Sequence, residues 1–307
     1  MNRILGPLGL ALTLISALVL TSAGQAAASP RFEDNYANDD GVKIHYVAAG
    51  RGPLVVMIHG FPDYWATWTP LMKTLDGRYR VAAMDLRGYN LSDKPGGVDA
   101  YAFPKLIADV EAVIKAEHRS SAIIIGHDWG AAISWQLAMT RPDLVNRLII
   151  MSVPHPAGFA REMATDKAQQ AGSQYARNFQ QPGFEKNLSP EMLAGMHGKD
   201  PAVHAAYLEA FQRSNIGDML NYYRANYPKT TDGTGTMGAK IVPITVPVLV
   251  IHGMKDTALN AAGHSGTWDY VTADTTILMI PNAGHWVQHD AQNLVDRTVH
   301  DWLDARR

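Results

Sequence analysis

Three residues of this chain have the types and the order needed for a covalent hydrolysis: Asp128, Asp256 and His285. Asp128 stands at the centre of Gly126-His127-Asp128-Trp129-Gly130, where the small residues two places before and two places after leave room for a sharp turn. A serine raised on such a turn attacks acyl carbon. A carboxylate instead attacks an sp³ carbon and gives an alkyl-enzyme ester, so the substrates expected are epoxides or alkyl halides. The other reading of the pentapeptide is a glycine-flanked turn whose aspartate caps the following helix.

An ester intermediate needs a water activated by a base, and histidine titrates in the useful range. His285 is the base expected, in Pro281-Asn282-Ala283-Gly284-His285-Trp286 after the strand-like stretch 275–280. Asp256, in His252-Gly253-Met254-Lys255-Asp256, is placed to orient it; the alternative for Asp256 is a loop aspartate capping a helix near Leu259. Nucleophile, acid, histidine is the chain order of α/β-hydrolases. His289, His252 and His264 are read as surface or loop histidines, and His127 as flanking structure. Hydrolysis also develops an oxyanion, for which the backbone N–H groups of Trp129 and Phe61 are the expected donors. Phe61 lies in His59-Gly60-Phe61-Pro62, where Pro62 can be cis and His59 is read as a structural hydrogen-bonder.

The elements that must position these residues are legible as apolar runs. Residues 54–58, 79–84, 122–125, 148–151 and 247–251 read as strands buried on both faces, and 42–47 as a half-exposed strand. Helical patterns such as 107–114 lie between most of them, which predicts an α/β fold with a mostly parallel, doubly wound sheet. From 156 to 240 there is no buried-strand run, only helical patterns such as 201–213 and 218–224, closing on a Gly/Thr-rich stretch at 230–238. That segment is expected to form a helical cap between the two parts of the core, 29–155 and 241–307.

With these residues assembled, the chain resembles the α/β-hydrolase-fold epoxide hydrolases, of the soluble epoxide hydrolase type, from about residue 40 to 302. HGFP at 59–62, DLRGY at 85–89 with SDKP at 92–95, GHDWG at 126–130, VPHP at 153–156 and GHW at 284–286 carry the resemblance. It implies two cap tyrosines that hydrogen-bond and protonate the epoxide oxygen, and the matching positions are Tyr175 and Tyr223. A neutral phenol suits that task, because ring opening creates an alkoxide. Tyr222 is the nearest rival to Tyr223. One departure is Asn90-Leu91 where such sequences read Gly, a change that asparagine's tolerance of left-handed backbone can accommodate. Phe61, Trp65, Trp129, Tyr175 and Phe179 suggest an apolar substrate pocket.

Two rival activities share the aspartate. A haloalkane dehalogenase typically has asparagine where Phe61 stands and lacks the tyrosine pair; a fluoroacetate dehalogenase needs arginine where Trp129 stands. A secreted binding module on the same fold would have lost at least one catalytic position, and none is lost here.

A net charge of −2 over 307 residues and no basic cluster give no reason to expect nucleic acid. Cysteine is absent, which excludes thiolate nucleophiles and thiolate metal sites. The 12 histidines form no HExxH, so neither a metal nor a cofactor is expected. Residues 1–28 have the layout of a secretory signal peptide, with Arg3 first, an apolar stretch, and Ala26-Ala27-Ala28 at the cleavage site. Export to the periplasm or medium follows as the expectation, as a monomer or homodimer; the alternative is an uncleaved membrane anchor.

Overall fold

The computed structural model describes Met1 and residues 32–198, 200–230 and 240–306. The expected signal peptide and most of the Gly/Thr-rich stretch lie outside the described residues. Eight strands form one sheet in the order β1-β2-β4-β3-β5-β6-β7-β8. They are β1 (Glu33–Asp39), β2 (Val42–Gly50), β3 (Leu54–Ile58), β4 (Arg80–Met84), β5 (Ala122–His127), β6 (Val145–Met151), β7 (Val248–Gly253) and β8 (Thr275–Ile280). From β4 to β8 all neighbours pair in parallel, while β2 pairs antiparallel with β1 and β4. The doubly wound sheet expected from the apolar runs is therefore present. β1 was not anticipated: its sequence, EDNYAND, is polar, and it sits at the sheet edge where one face and one side meet water.

Alternate side chains of each central strand enter opposite layers, as a period of two requires. Val56, Ile58, Ile124 and Val250 face one core, and Val55, Met57, Ile125 and Ile251 the other. Helices α1 (Thr69–Leu75) and α10 (Gln292–Asp304) cover the second layer with Leu71, Met72, Val295, Val299 and Leu303. Helices α2 (Phe103–Ala116) and α3 (Trp129–Thr140) cover the first. Residues 129–139 of α3 are all buried, because the sheet, α2 and the segment after β6 enclose it on every side.

β6 and β7 are parallel neighbours, and the described residues between them include six α-helices: α4 (Pro156–Thr165), α5 (Lys167–Gly172), α6 (Gln174–Phe179), α7 (Pro190–Ala194), α8 (Pro201–Arg213) and α9 (Ile216–Asn226). Proline at the first turn and a side-chain cap start several of them; Asp200 accepts the N–H groups of Ala202 and Val203 at the head of α8. The loop 85–95 ties this layer to the sheet. Arg87 makes a bidentate pair with Asp109 at 2.6 Å on both arms, and its carbonyl accepts the Tyr222 hydroxyl. Asn90 adopts φ 38°, the left-handed conformation its side chain tolerates, and bridges Asp85 to Arg213 of α8.

Candidate active site

Asp128, Asp256, His285 and Phe61 all follow the C-terminal ends of strands, β5, β7, β8 and β3 respectively, the usual position for chemistry on such a sheet. Asp128 occupies the tight turn with φ 52° and ψ −123°, and its side chain makes no bond to the first turn of α3. The capping alternative is thus not what the carboxylate does. A Cβ on Gly126 would come within 2.4 Å of the Gly130 carbonyl oxygen, and one on Gly130 within 2.0 Å of the Ile58 oxygen. Glycine is required at both places because strand and helix backbones touch there.

The freed carboxylate has one oxygen in each of two environments. Oδ1 accepts the Phe61 N–H at 2.6 Å, and Oδ2 lies 3.4 Å from His285 Nε2. Trp129, immediately after Asp128, opens α3, where first-turn N–H groups have no intrahelical partner. The Phe61–Pro62 peptide is cis. His59 accepts the Leu86 N–H through Nε2 and so donates Nδ1–H to the Gly60 carbonyl, which makes it part of the loop's scaffold.

Asp256 Oδ2 accepts from His285 Nδ1 at 2.7 Å, while its Oδ1 accepts the N–H groups of Ala258 and Leu259. The loop pair is held in register by Lys255 N–H on the Ala283 carbonyl and Gly284 N–H on Asp290. His127 and Ser152 both donate to the His285 carbonyl, at 2.9 and 2.6 Å, fixing the backbone from beneath. Burial alone would depress the His285 pKa, but the two carboxylates Asp256 and Asp128 overcome it and raise it to about 10. Asp128 and Asp256 are held below the ordinary carboxylate value: burial opposes this and the imidazolium outweighs it. The resting site is an aspartate, imidazolium, aspartate row. His127, buried beside that cation, is lowered to about 3 and stays neutral.

Tyr175 on α6 and Tyr223 on α9 meet above Asp128, with ring centroids 6.1 Å apart. Burial keeps both phenols well above pH 10, so they are neutral donors. Tyr223 packs edge-on to Trp129 at 4.9 Å and to Phe61 at 5.7 Å. Tyr222 points away: its hydroxyl is spent on the Arg87 carbonyl and its ring lies against Tyr89 and Tyr101. Geometry thereby separates the two neighbouring tyrosines.

Asp128, His285, Tyr175 and Tyr223 open on a cavity of about 360 Å³, walled by Phe61, Phe179, Met196 and Trp286. Trp65 is not in it. It begins the 3-10 turn after Tyr64, donates its N–H to Asp85 and turns its ring to Phe32 and Tyr64. Trp65, expected as a pocket residue, is therefore no part of the cavity wall, because its indole packs on Phe32 and Tyr64 instead. Residues the sequence did not single out include Lys255, Thr257 and Trp286, whose adjacency to Asp256 and His285 was the available signal. Met196 had none, since the helix turn that delivers it is set by packing within the 156–240 segment.

The chain belongs to the α/β hydrolase fold family, whose model matches residues 53–292. It is 32% identical over 289 residues to epoxide hydrolase 3 of Xenopus tropicalis, covering 86% of this chain and 76% of that protein. It is 34% identical over 284 residues to the AB hydrolase superfamily protein YfhM of Bacillus subtilis (strain 168), covering 87% of this chain and 96% of that one. Among solved structures it superposes on the Bacillus megaterium epoxide hydrolase in complex with an inhibitor, with TM-score 0.82 and 29% identity over 88% of this chain and 100% of the other.

Proposed function

We propose that this protein hydrolyses epoxides to vicinal diols through an ester on Asp128. The observation that carries the reading is the placement of two neutral phenols, Tyr175 and Tyr223, in the same cavity as a carboxylate nucleophile and a histidine–aspartate pair. The named epoxide hydrolases among its relatives support the same substrate class.

Asp128 Oδ1 is engaged by Phe61, which leaves Oδ2 to attack a ring carbon. As the carbon–oxygen bond breaks, the tyrosine hydroxyls donate to the departing oxygen, and the proton that passes to it is replaced from the His285 imidazolium, or from solvent where that cation is absent. Esterification removes the charge of Asp128, one of the two carboxylates that held the His285 pKa up. The imidazole thus loses its proton readily at the moment when it must become a base. Neutral His285 then takes a proton from water, whose oxygen bonds to the ester carbon. The resulting oxyanion stands at Oδ1, against the Phe61 N–H and the first turn of α3. Collapse breaks the ester bond; the leaving diol oxygen takes a proton from the imidazolium, the hydroxyl proton left on Asp128 replaces it, and the carboxylate and imidazolium are restored.

Diol production from a panel of aliphatic and aryl epoxides, with halide release from matched bromoalkanes as control, tests this activity. Diol formation with little halide is expected; halide release exceeding diol formation would assign the aspartate to dehalogenation. Export is proposed on the strength of residues 1–28, and the mature N-terminus of the protein recovered from the periplasm or medium is expected to follow Ala28.

A further inference from the structure

Asp128, Tyr175 and Tyr223 border two unequal spaces. One is the 360 Å³ cavity. The other is a void of about 20 Å³, whose remaining walls are Trp129, Ala132, Val153, Tyr227 and Leu259. On the same measure the void is many-fold smaller than the cavity beside it, so only a small group fits there. None of its five further walls is more than 6% exposed.

Its walls are also tied in place. The Tyr227 hydroxyl donates to Ser173 Oγ at 2.9 Å, and Gln169 Nε2 donates to the same oxygen and to the Ala258 carbonyl. Gln169 Oε1 accepts the Asn260 N–H, and the Leu259 N–H is pinned to Asp256 itself. Widening the void means breaking this buried network and disturbing the acid that orients His285. At Tyr227, therefore, a larger group meets a wall held by hydrogen bonds.

Reaction fixes the epoxide ring at the border, with its oxygen on the two phenols and a ring carbon on Asp128. The substituents of the two ring carbons then leave toward different spaces. We infer that the substrate is an epoxide with all its bulk on one ring carbon, held in the larger cavity, while the other carbon carries hydrogen or at most a methyl group. This rests on the epoxide reading above and specifies the substrate class for it. Val153, Tyr227 and Leu259 are the residues that set the limit.

The test compares three epoxides of octene: the terminal one, the trans isomer with methyl and pentyl groups, and the symmetrical trans isomer with a propyl group on each carbon. The kcat/KM is expected to fall less than about tenfold from the first to the second, and by about 100-fold or more from the first to the third. Leu259→Ala, or Val153→Ala should the first variant fold poorly, is expected to raise the ratio of symmetrical to terminal turnover by about tenfold, which Met196→Ala in the larger cavity does not. A symmetrical epoxide turned over within about threefold of the terminal one would overturn the inference while leaving the epoxide reading intact. Absence of diol from all three would overturn that reading, and the inference with it.

Discussion

Replacing Asp256 by asparagine is a demanding perturbation because the two oxygens of Asp256 have different partners. Oδ1 accepts the N–H groups of Ala258 and Leu259 at 2.8 and 3.0 Å, and Oδ2 accepts from His285 Nδ1 at 2.7 Å. An asparagine has only one acceptor oxygen. If that oxygen keeps the two backbone donors, the amide NH₂ faces Nδ1 and forces the imidazole proton onto Nε2, where it points at Asp128 and cannot receive a proton from water. Restoring the working tautomer flips the amide and leaves two buried N–H groups unmet. Each costs about 1–3 kcal/mol, so ester hydrolysis in Asp256→Asn is expected to slow by about 30-fold to 20,000-fold. Ring opening does not require His285 as a base, and alkylation is expected to stay within about tenfold of wild type. The assay is rapid mixing with excess epoxide, acid quench, and intact-mass measurement of the ester alongside diol release. The variant is expected to stand almost wholly as ester at steady state. Hydrolysis within about threefold of wild type would refute the tautomer argument and the role given to Asp256.

Tyr175→Phe and Tyr223→Phe are each expected to slow alkylation by about 10- to 100-fold, with the double variant slower still, and single-turnover ester formation measures it; unchanged rates would remove the phenols from the mechanism. Gly130→Ala would drive a methyl into the Ile58 oxygen at 2.0 Å, so a loss of about 3 kcal/mol or more is expected in urea unfolding, and a near-neutral result would mean that strand and helix can part there. For pH, His285 has a folded-state pKa near 10 against about 6.5 unfolded, so its stabilisation is full below pH 6.5 and is lost as pH rises toward 10. His127 acts in the opposite sense: it is held neutral with a pKa near 3, and its contribution is lost as pH falls below about 6.5. Unfolding of wild type and His285→Gln from pH 5 to 10 should therefore show their stability difference shrinking on the alkaline side; a difference that grows there would contradict the assignment.

Much of this architecture is legible in residue pattern because a parallel sheet buried on both faces leaves continuous apolar runs, and β3, β5, β6 and β7 all fall on such runs. The order of Asp128, Asp256 and His285 was readable for a related reason: each lies within a few residues of a strand's C-terminal end, so one dimension of sequence places it at one edge of the sheet. Side chains delivered by the helices between β6 and β7 were not so accessible. Tyr175 and Tyr223 were reached through family resemblance, and nothing local distinguishes Tyr223 from Tyr222 until the Arg87 carbonyl is seen to claim the latter. Trp65 was misplaced because aromatic character marks burial without telling which cavity a ring faces. The small void beside Asp128 is a property of packing between Tyr227, Val153 and Leu259, which lie far apart in the chain.

In the proposed reaction Asp128 becomes covalently bonded to substrate, and that bond can be trapped. His285→Gln protein, unable to activate water, should be incubated with an epoxide, digested and mapped by mass spectrometry. A mass increase equal to that of the whole epoxide is expected, located on the peptide containing Asp128. An unmodified protein with epoxide demonstrably bound in the cavity, or an adduct on another residue, would contradict it.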